Sequence, residues 1–186
     1  MGTADIRQAT GGDLPAMVRS LGQEEYFSDR LILQDSGHGL LLVAWQDDVT
    51  GDAAGGVAGG VAVGDVYVWL AAAEEPELRA HLPDVALITH LEVVAGRRNE
   101  GIGTELLRAA EHRLWDLGRK QVALGVGLDN RDAQRLYARL GYTEWPHGQV
   151  ATTEVVYHPG GERELRPETC RIMVRRLGPE YGSPWR

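Results

Sequence analysis

Seven consecutive residues, Arg98-Asn99-Glu100-Gly101-Ile102-Gly103-Thr104, join a guanidinium to two closely spaced glycines at the start of an amphipathic run. Such a segment suits an anion. The first N–H groups of a helix have no internal partner, and the helix dipole is positive at that end. Glycine lets the backbone approach a bulky phosphate, and Arg98 can add a charge-assisted hydrogen bond. A lone Gly-x-Gly also fits a helix start that merely needs a tight turn. Two nucleotide-binding patterns fail on inspection. A dinucleotide-binding loop needs a third glycine where Leu106 stands. A Walker loop needs Gly-Lys-Ser/Thr, and the chain's single lysine is Lys120.

Further along, Asp129-Asn130 can cap a helix on which Ala133, Leu136, Tyr137 and Leu140 share a face. Tyr137 can pack on that face and still present a hydroxyl. On the strand before the anion loop, Leu87, Thr89, Leu91 and Val93 have one parity, and Ile88, His90 and Glu92 the other. Glu24, Glu25, Tyr26 and Asp29 give an early helix an acidic, aromatic side suited to an ammonium group, although a solvated helix face is the simpler reading of each. Asp65 and Tyr67 are candidates of the same kind. His147 and His158 have no partner at metal-ligand spacing, so no metal is expected. Cys170, the only cysteine, excludes an intramolecular disulfide and reads as a small core residue.

These groups need a frame. Residues 4–9 read as a short strand, and Asp13 as the cap of a helix carrying Leu14, Met17, Val18 and Leu21. A second helix runs from about 24 to 33. Strands follow at 40–45, 61–70 and 85–94; residues 47–60 read as a flexible hairpin connection and 71–83 as a connection with at most a helical turn. Ile102, Leu106, Leu107, Ala110, Leu114 and Leu117 define the strongest helix, stopped by Gly118. A strand at 122–126, the Asn130 helix, and strands at 142–157 and 169–176 around a polar loop complete the order. The expected fold is mixed α/β, with one sheet and helices on both faces. It forms a single domain over 1–177, and residues 178–186 are expected to be a disordered tail.

A formal net charge of -8 argues against a nucleic-acid partner and mildly favours a cationic substrate. No apolar run approaches the roughly 20 residues that span a bilayer, and the first ten residues lack a signal pattern. No membrane association and a cytoplasmic location are expected.

The stretch from Leu91 to Thr104 resembles the acetyl-CoA motif of GNAT N-acetyltransferases, Arg/Gln-x-x-Gly-x-Gly/Ala after the fourth strand. Asn130 to Tyr142 is similar to the family's Asn-x-x-Ala-x-x-x-Tyr-x-x-x-Gly-Phe segment, and Ile6 to Leu14 is also typical. The departures are Asn99 for glycine, Ala95 for proline and Tyr142 for phenylalanine.

The resemblance implies a mixed, mostly antiparallel sheet with a splayed fourth and fifth strand, and acetyl-CoA as cosubstrate. Amides of Arg98, Asn99, Glu100, Gly101, Ile102, Gly103 and Thr104 would hold the pyrophosphate. The backbone of Leu91 and Val93, with Asn130 and Ala133, would line the pantetheine arm. Tyr137 would be the general acid at the CoA sulfur. The acceptor would meet Glu25, Tyr26, Asp29 and Thr89, and the long segment from Trp145 to Arg166 would shape its pocket or a homodimer contact. The family's base positions fall at Leu87 and Thr89, or at Gly125, where nothing ionises usefully. Strict alternation turns His90 and Glu92 to the other face, but a bulge, which the family tends to have, would change that count. Glu92 is the candidate base, a structural ion pair its other reading, and a water relay an alternative to both. The implied activity is acetyl transfer to a primary amine of a small molecule. The alternatives are protein N-terminal or lysine acetylation, and a non-catalytic acyl-CoA-binding regulator.

Overall fold

The computed structural model describes residues 4–47, 60–158 and 162–181. The order is β1 (Asp5–Gln8), α1 (Leu14–Leu21), α2 (Glu24–Asp35), β2 (Gly39–Gln46), β3 (Val61–Trp69), α3 (Pro76–His81), β4 (Ala86–Val93), α4 (Ile102–Asp116), β5 (Gln121–Gly127), α5 (Arg131–Arg139), β6 (Thr143–Tyr157) and β7 (Arg163–Arg176). The strands form one mixed sheet in the order β1-β2-β3-β4-β5-β7-β6. β1 with β2, β5 with β7 and β6 with β7 are antiparallel, whereas β4 and β5 run parallel. The β4–β5 register covers only Ala86–Ile88 against Val122–Leu124. It ends midway along β4, in keeping with the expected splay. The hairpin connection expected at 47–60 lies, apart from its ends, outside the described residues.

The chain divides into two compact units, 1–67 with 90–109, and 68–89 with 110–186. The division falls within β3, β4 and α4.

In the first unit, β2 is buried from Gly39 to Trp45, as a continuous apolar run demands. Met17 of α1 and Tyr26, Phe27 and Leu31 of α2 are buried. Gln34 ties α2 to the strands: its Nε2 donates to the Ala9 carbonyl at 2.8 Å and its Oε1 accepts from the Leu41 N–H at 2.9 Å. Asp13 does not cap α1 through its side chain. Its carboxylate instead takes two hydrogen bonds from Arg7, at 2.7 and 3.0 Å, and others from the Thr10 N–H and hydroxyl.

Hydrogen bonding from Arg7 holds the Asp13 carboxyl at about 2. A depressed carboxylate contributes stability that is present above pH about 4 and lost as pH falls from there through about 2. Asp13→Asn is therefore expected to cost about 1 kcal/mol at pH 7, a modest figure because Arg7 is part-exposed. In thermal melts the gap to wild type closes at pH 2; an equal gap at both pH values contradicts the assignment.

In the second unit, Leu78, Val85, Leu87, Ala123, Trp145, Val150, Cys170 and Ile172 form one cluster. The Cys170 thiol, 4% exposed, is pushed up to about 12 by burial and then by neighbouring carboxylates, Glu168 first. α4 ends at Asp116, so Leu117 is exposed rather than on the core face. β7 starts at Arg163, earlier than its apolar pattern suggests. The residues 163–169 are all exposed and held by pairing with β6. The tail also needs correcting. Pro179–Tyr181 form a turn, and Tyr181 is buried; residues 182–186 lie outside the described residues. The reason is Glu111, a carboxylate only 1% exposed on α4. It accepts the Tyr142 hydroxyl at 2.7 Å and the Tyr181 hydroxyl at 2.8 Å, and pairs with Arg175 at 3.3 Å.

Candidate active site

The anion loop lies in the first unit. After β4, Asn99 has φ 66° and Gly101 φ 91°. Both are left-handed, which explains why glycine is the commoner residue at position 99: asparagine is among the few others that tolerate it. The first backbone bond of α4 runs from the Glu105 N–H to the Gly101 carbonyl at 3.0 Å. The N–H groups of Ile102, Gly103 and Thr104 thus precede the helical ladder. Ile102 is buried and pins the helix start, whereas Arg98, Asn99, Glu100 and Gly101 are exposed. A Cβ on Gly101 would meet nothing within 4 Å, so space for a phosphate remains. The Glu100 carboxylate turns away to Arg97, 3.0 Å from its Nε. Arg98 donates through Nε to the Val93 carbonyl at 3.1 Å. That bond ties the loop to β4 and occupies the carbonyl of one residue expected along the pantetheine arm. Gly64 of β3 permits a further close approach: a Cβ there would lie 2.7 Å from the Glu92 carbonyl oxygen. Exposed amides, left-handed turns and a helix start together fit the pyrophosphate of CoA.

On β4 of the same unit, His90 and Glu92 project toward α2 and β3. His90 Nε2 is 3.5 Å from Asp65 Oδ2 and 3.7 Å from Glu92 Oε2. The Gln23 amide donates to that same Glu92 oxygen at 3.2 Å. The Tyr26 ring lies 4.7 Å from the His90 ring, and the Arg30 guanidinium covers the Tyr26 and Tyr67 rings. Burial alone would lower the imidazolium's pKa. Contact with Asp65 and the charges of Asp65 and Glu92 outweigh it against Arg30, so the net shift is upward. Strict alternation set His90 and Glu92 apart from the acceptor side. In the structure they meet Gln23 and Tyr26 of the α1–α2 region, the side the resemblance gives to the acceptor. Of the acceptor candidates, Tyr26 joins this cluster, while Glu25 and Asp29 sit half-buried elsewhere on α2. Asp65, from the sequence only a further acceptor-side candidate, is the buried carboxylate of this cluster. Its signal was a carboxylate inside an otherwise apolar nine-residue strand.

The second unit holds the other expected residues. Thr89 is exposed. Asn130 caps α5, its Oδ1 accepting from the Ala133 N–H at 3.1 Å. The capping reading therefore holds, and a ligand contact would fall to its Nδ2. Tyr137 is half-buried, its ring 5.8 Å from that of Tyr142. Burial raises its pKa, so the phenol keeps its proton at neutral pH. Among the described residues, no group of three or more His, Cys, Asp or Glu is placed to hold a metal ion. Nor is any described helix long and apolar enough to cross a membrane.

Residues 5–142 match the family model of the Acetyltransferase (GNAT) family, so the chain belongs to that family and is an acyltransferase. Solved structures share the fold. The PaiA N-acetyltransferase from Thermoplasma acidophilum in complex with coenzyme A is 15% identical, with a TM-score of 0.59, covering 94% of this chain and 99% of that one. A ribosomal-protein alanine N-acetyltransferase from Escherichia coli is 18% identical, with a TM-score of 0.61 and 94% of each chain covered. The spermidine/spermine N-acetyltransferase SpeG from Vibrio cholerae, in complex with manganese ions, is 14% identical at a TM-score of 0.60, covering 97% and 96%. Among curated proteins no sequence matches the chain.

Proposed function

We propose that the protein transfers the acetyl group of acetyl-CoA to a primary amine of a small molecule. The observation that carries this reading is the loop from Arg98 to Thr104, exposed as far as Gly101, whose left-handed residues and amides ahead of the helical ladder suit a pyrophosphate. The family supplies the reaction class, and relatives that act on small amines and on proteins support an amine acceptor. When bound, acetyl-CoA supplies an activated thioester carbonyl. The amides from Arg98 to Thr104 hold the phosphates, and Leu91, Val93, Asn130 Nδ2 and Ala133 line the arm. Tyr137 holds the proton destined for the sulfur. Glu25, Tyr26, Asp29 and Thr89 are the acceptor-side residues of this reading. Fixing both reactants in place can by itself remove roughly 7–11 kcal/mol of the barrier.

The test is CoA thiol release from acetyl-CoA with a panel of small amines and a panel of peptides. Amine-dependent release is expected. Gly101→Val places a β-branched residue at positive φ beside the phosphates and should weaken CoA binding about tenfold or more in calorimetry. Release only with peptides favours protein acetylation, and binding without any release favours the regulator.

A further inference from the structure

We propose that His90 takes the proton of the attacking amine through Nδ1, and that the buried Asp65 is its positioning residue. This rests on the reading of the protein as an amine acetyltransferase. Two carboxylate oxygens, from β3 and β4, converge on one ring nitrogen, Nε2. A bare lone pair facing both would be repelled, so Nε2 carries the hydrogen and Nδ1 is left as the basic atom. Asp65 is 2% exposed, and its Oδ2, like His90 Nε2, has no hydrogen-bond partner. At 3.5 Å the two atoms make an ion-pair contact that a small ring rotation converts into a hydrogen bond. A carboxylate oxygen buried without a donor is costly, and His90 Nε2 is the donor 3.5 Å from it. Glu92 is farther and already engaged by Gln23, which leaves Asp65 as the main anchor.

Side-chain exposure rises along the series, from 2% at Asp65 to 26% at His90 and 44% at Glu92. The ring thus lies between a buried carboxylate that anchors it and a more exposed one at its outer side. His90 also directly precedes Leu91, which the family resemblance places along the pantetheine arm; adjacent Cα atoms are about 3.8 Å apart. The groups facing the ring are Asp65 from β3, Glu92 from β4, and Tyr26 and Arg30 from α2. In the step itself, one amine proton passes to His90 Nδ1. The nitrogen's electron pair forms the N–C bond as the C–S bond breaks, and the sulfur's pair takes the Tyr137 proton. His90 then releases its proton to solvent and the Tyr137 oxygen regains one, so amine and thioester become amide and thiol.

Rate against pH, and proton NMR titration of the imidazole, test this together. His90→Gln should lower kcat about 100-fold and remove the acidic limb of the kcat/KM profile, with CoA affinity retained. It also identifies the His90 resonance. Asp65→Asn removes the anchoring charge, so both the NMR titration midpoint and the acidic limb should move to lower pH. Amine turnover that His90→Gln leaves unchanged in rate and profile overturns the proposal while the acetyltransferase reading stands. An unmoved His90 titration in Asp65→Asn overturns the role of Asp65. If Asp65→Asn does not fold, the more exposed His90→Gln decides the base alone. Absence of turnover with every amine defeats the functional reading, and the base with it.

Discussion

Tyr137→Phe is expected to lower kcat about 100-fold while leaving the Kd for acetyl-CoA within about twofold. The substitution deletes one oxygen from a half-buried ring and keeps the packing against Tyr142. In the proposed function, binding rests on the loop from Arg98 to Thr104, which the ring does not build. Loss of rate without loss of affinity is the signature of a group needed only in the transition state. Burial raises the Tyr137 pKa above its ordinary value near 10. The wild-type rate should therefore show no loss from phenol ionisation below about pH 10. Calorimetry with CoA and steady-state rates across pH check both parts. An unchanged kcat in Tyr137→Phe returns the residue to a packing role.

Glu111→Ala is expected to destabilise the fold by about 3 kcal/mol or more. The carboxylate is enclosed, and one substitution strands two phenols and the Arg175 guanidinium. Arg175 also donates to the Leu140 carbonyl at the end of α5, so the loss reaches the helix that carries Tyr137. Against a total stability of about 5–15 kcal/mol, this is a large fraction. Glu111→Gln keeps an acceptor of nearly the same shape and should cost less, about 1–2 kcal/mol. Urea unfolding followed by tryptophan fluorescence measures both. Equal midpoints for wild type and Glu111→Ala contradict the account.

The loop before α4 and the start of that helix were legible because their signals are local. Glycines, a helix start and an apolar stripe from Ile102 to Leu114 lie within one turn-to-helix segment. β2 was legible for a similar reason, as a continuous buried run. The base was not. Alternation put His90 and Glu92 on one face of β4, as found, but which elements that face meets is set by tertiary packing. Asp65 could be seen as a carboxylate in an apolar strand, but its partner is 25 residues away and is chosen by tertiary contact. The start of β7 was missed because residues 163–169 are exposed and show no apolar alternation. Tyr181 was missed because tails are judged by composition, whereas a single buried carboxylate holds this one.

The enclosed Cys170 has a practical consequence. It is the chain's only thiol, 4% exposed, and with a pKa of about 12 it is almost wholly protonated at assay pH. A colorimetric disulfide reagent added to a native reaction should therefore register the CoA produced and almost nothing from the protein. A cysteine introduced on the surface could likewise take a fluorophore without removing the natural one.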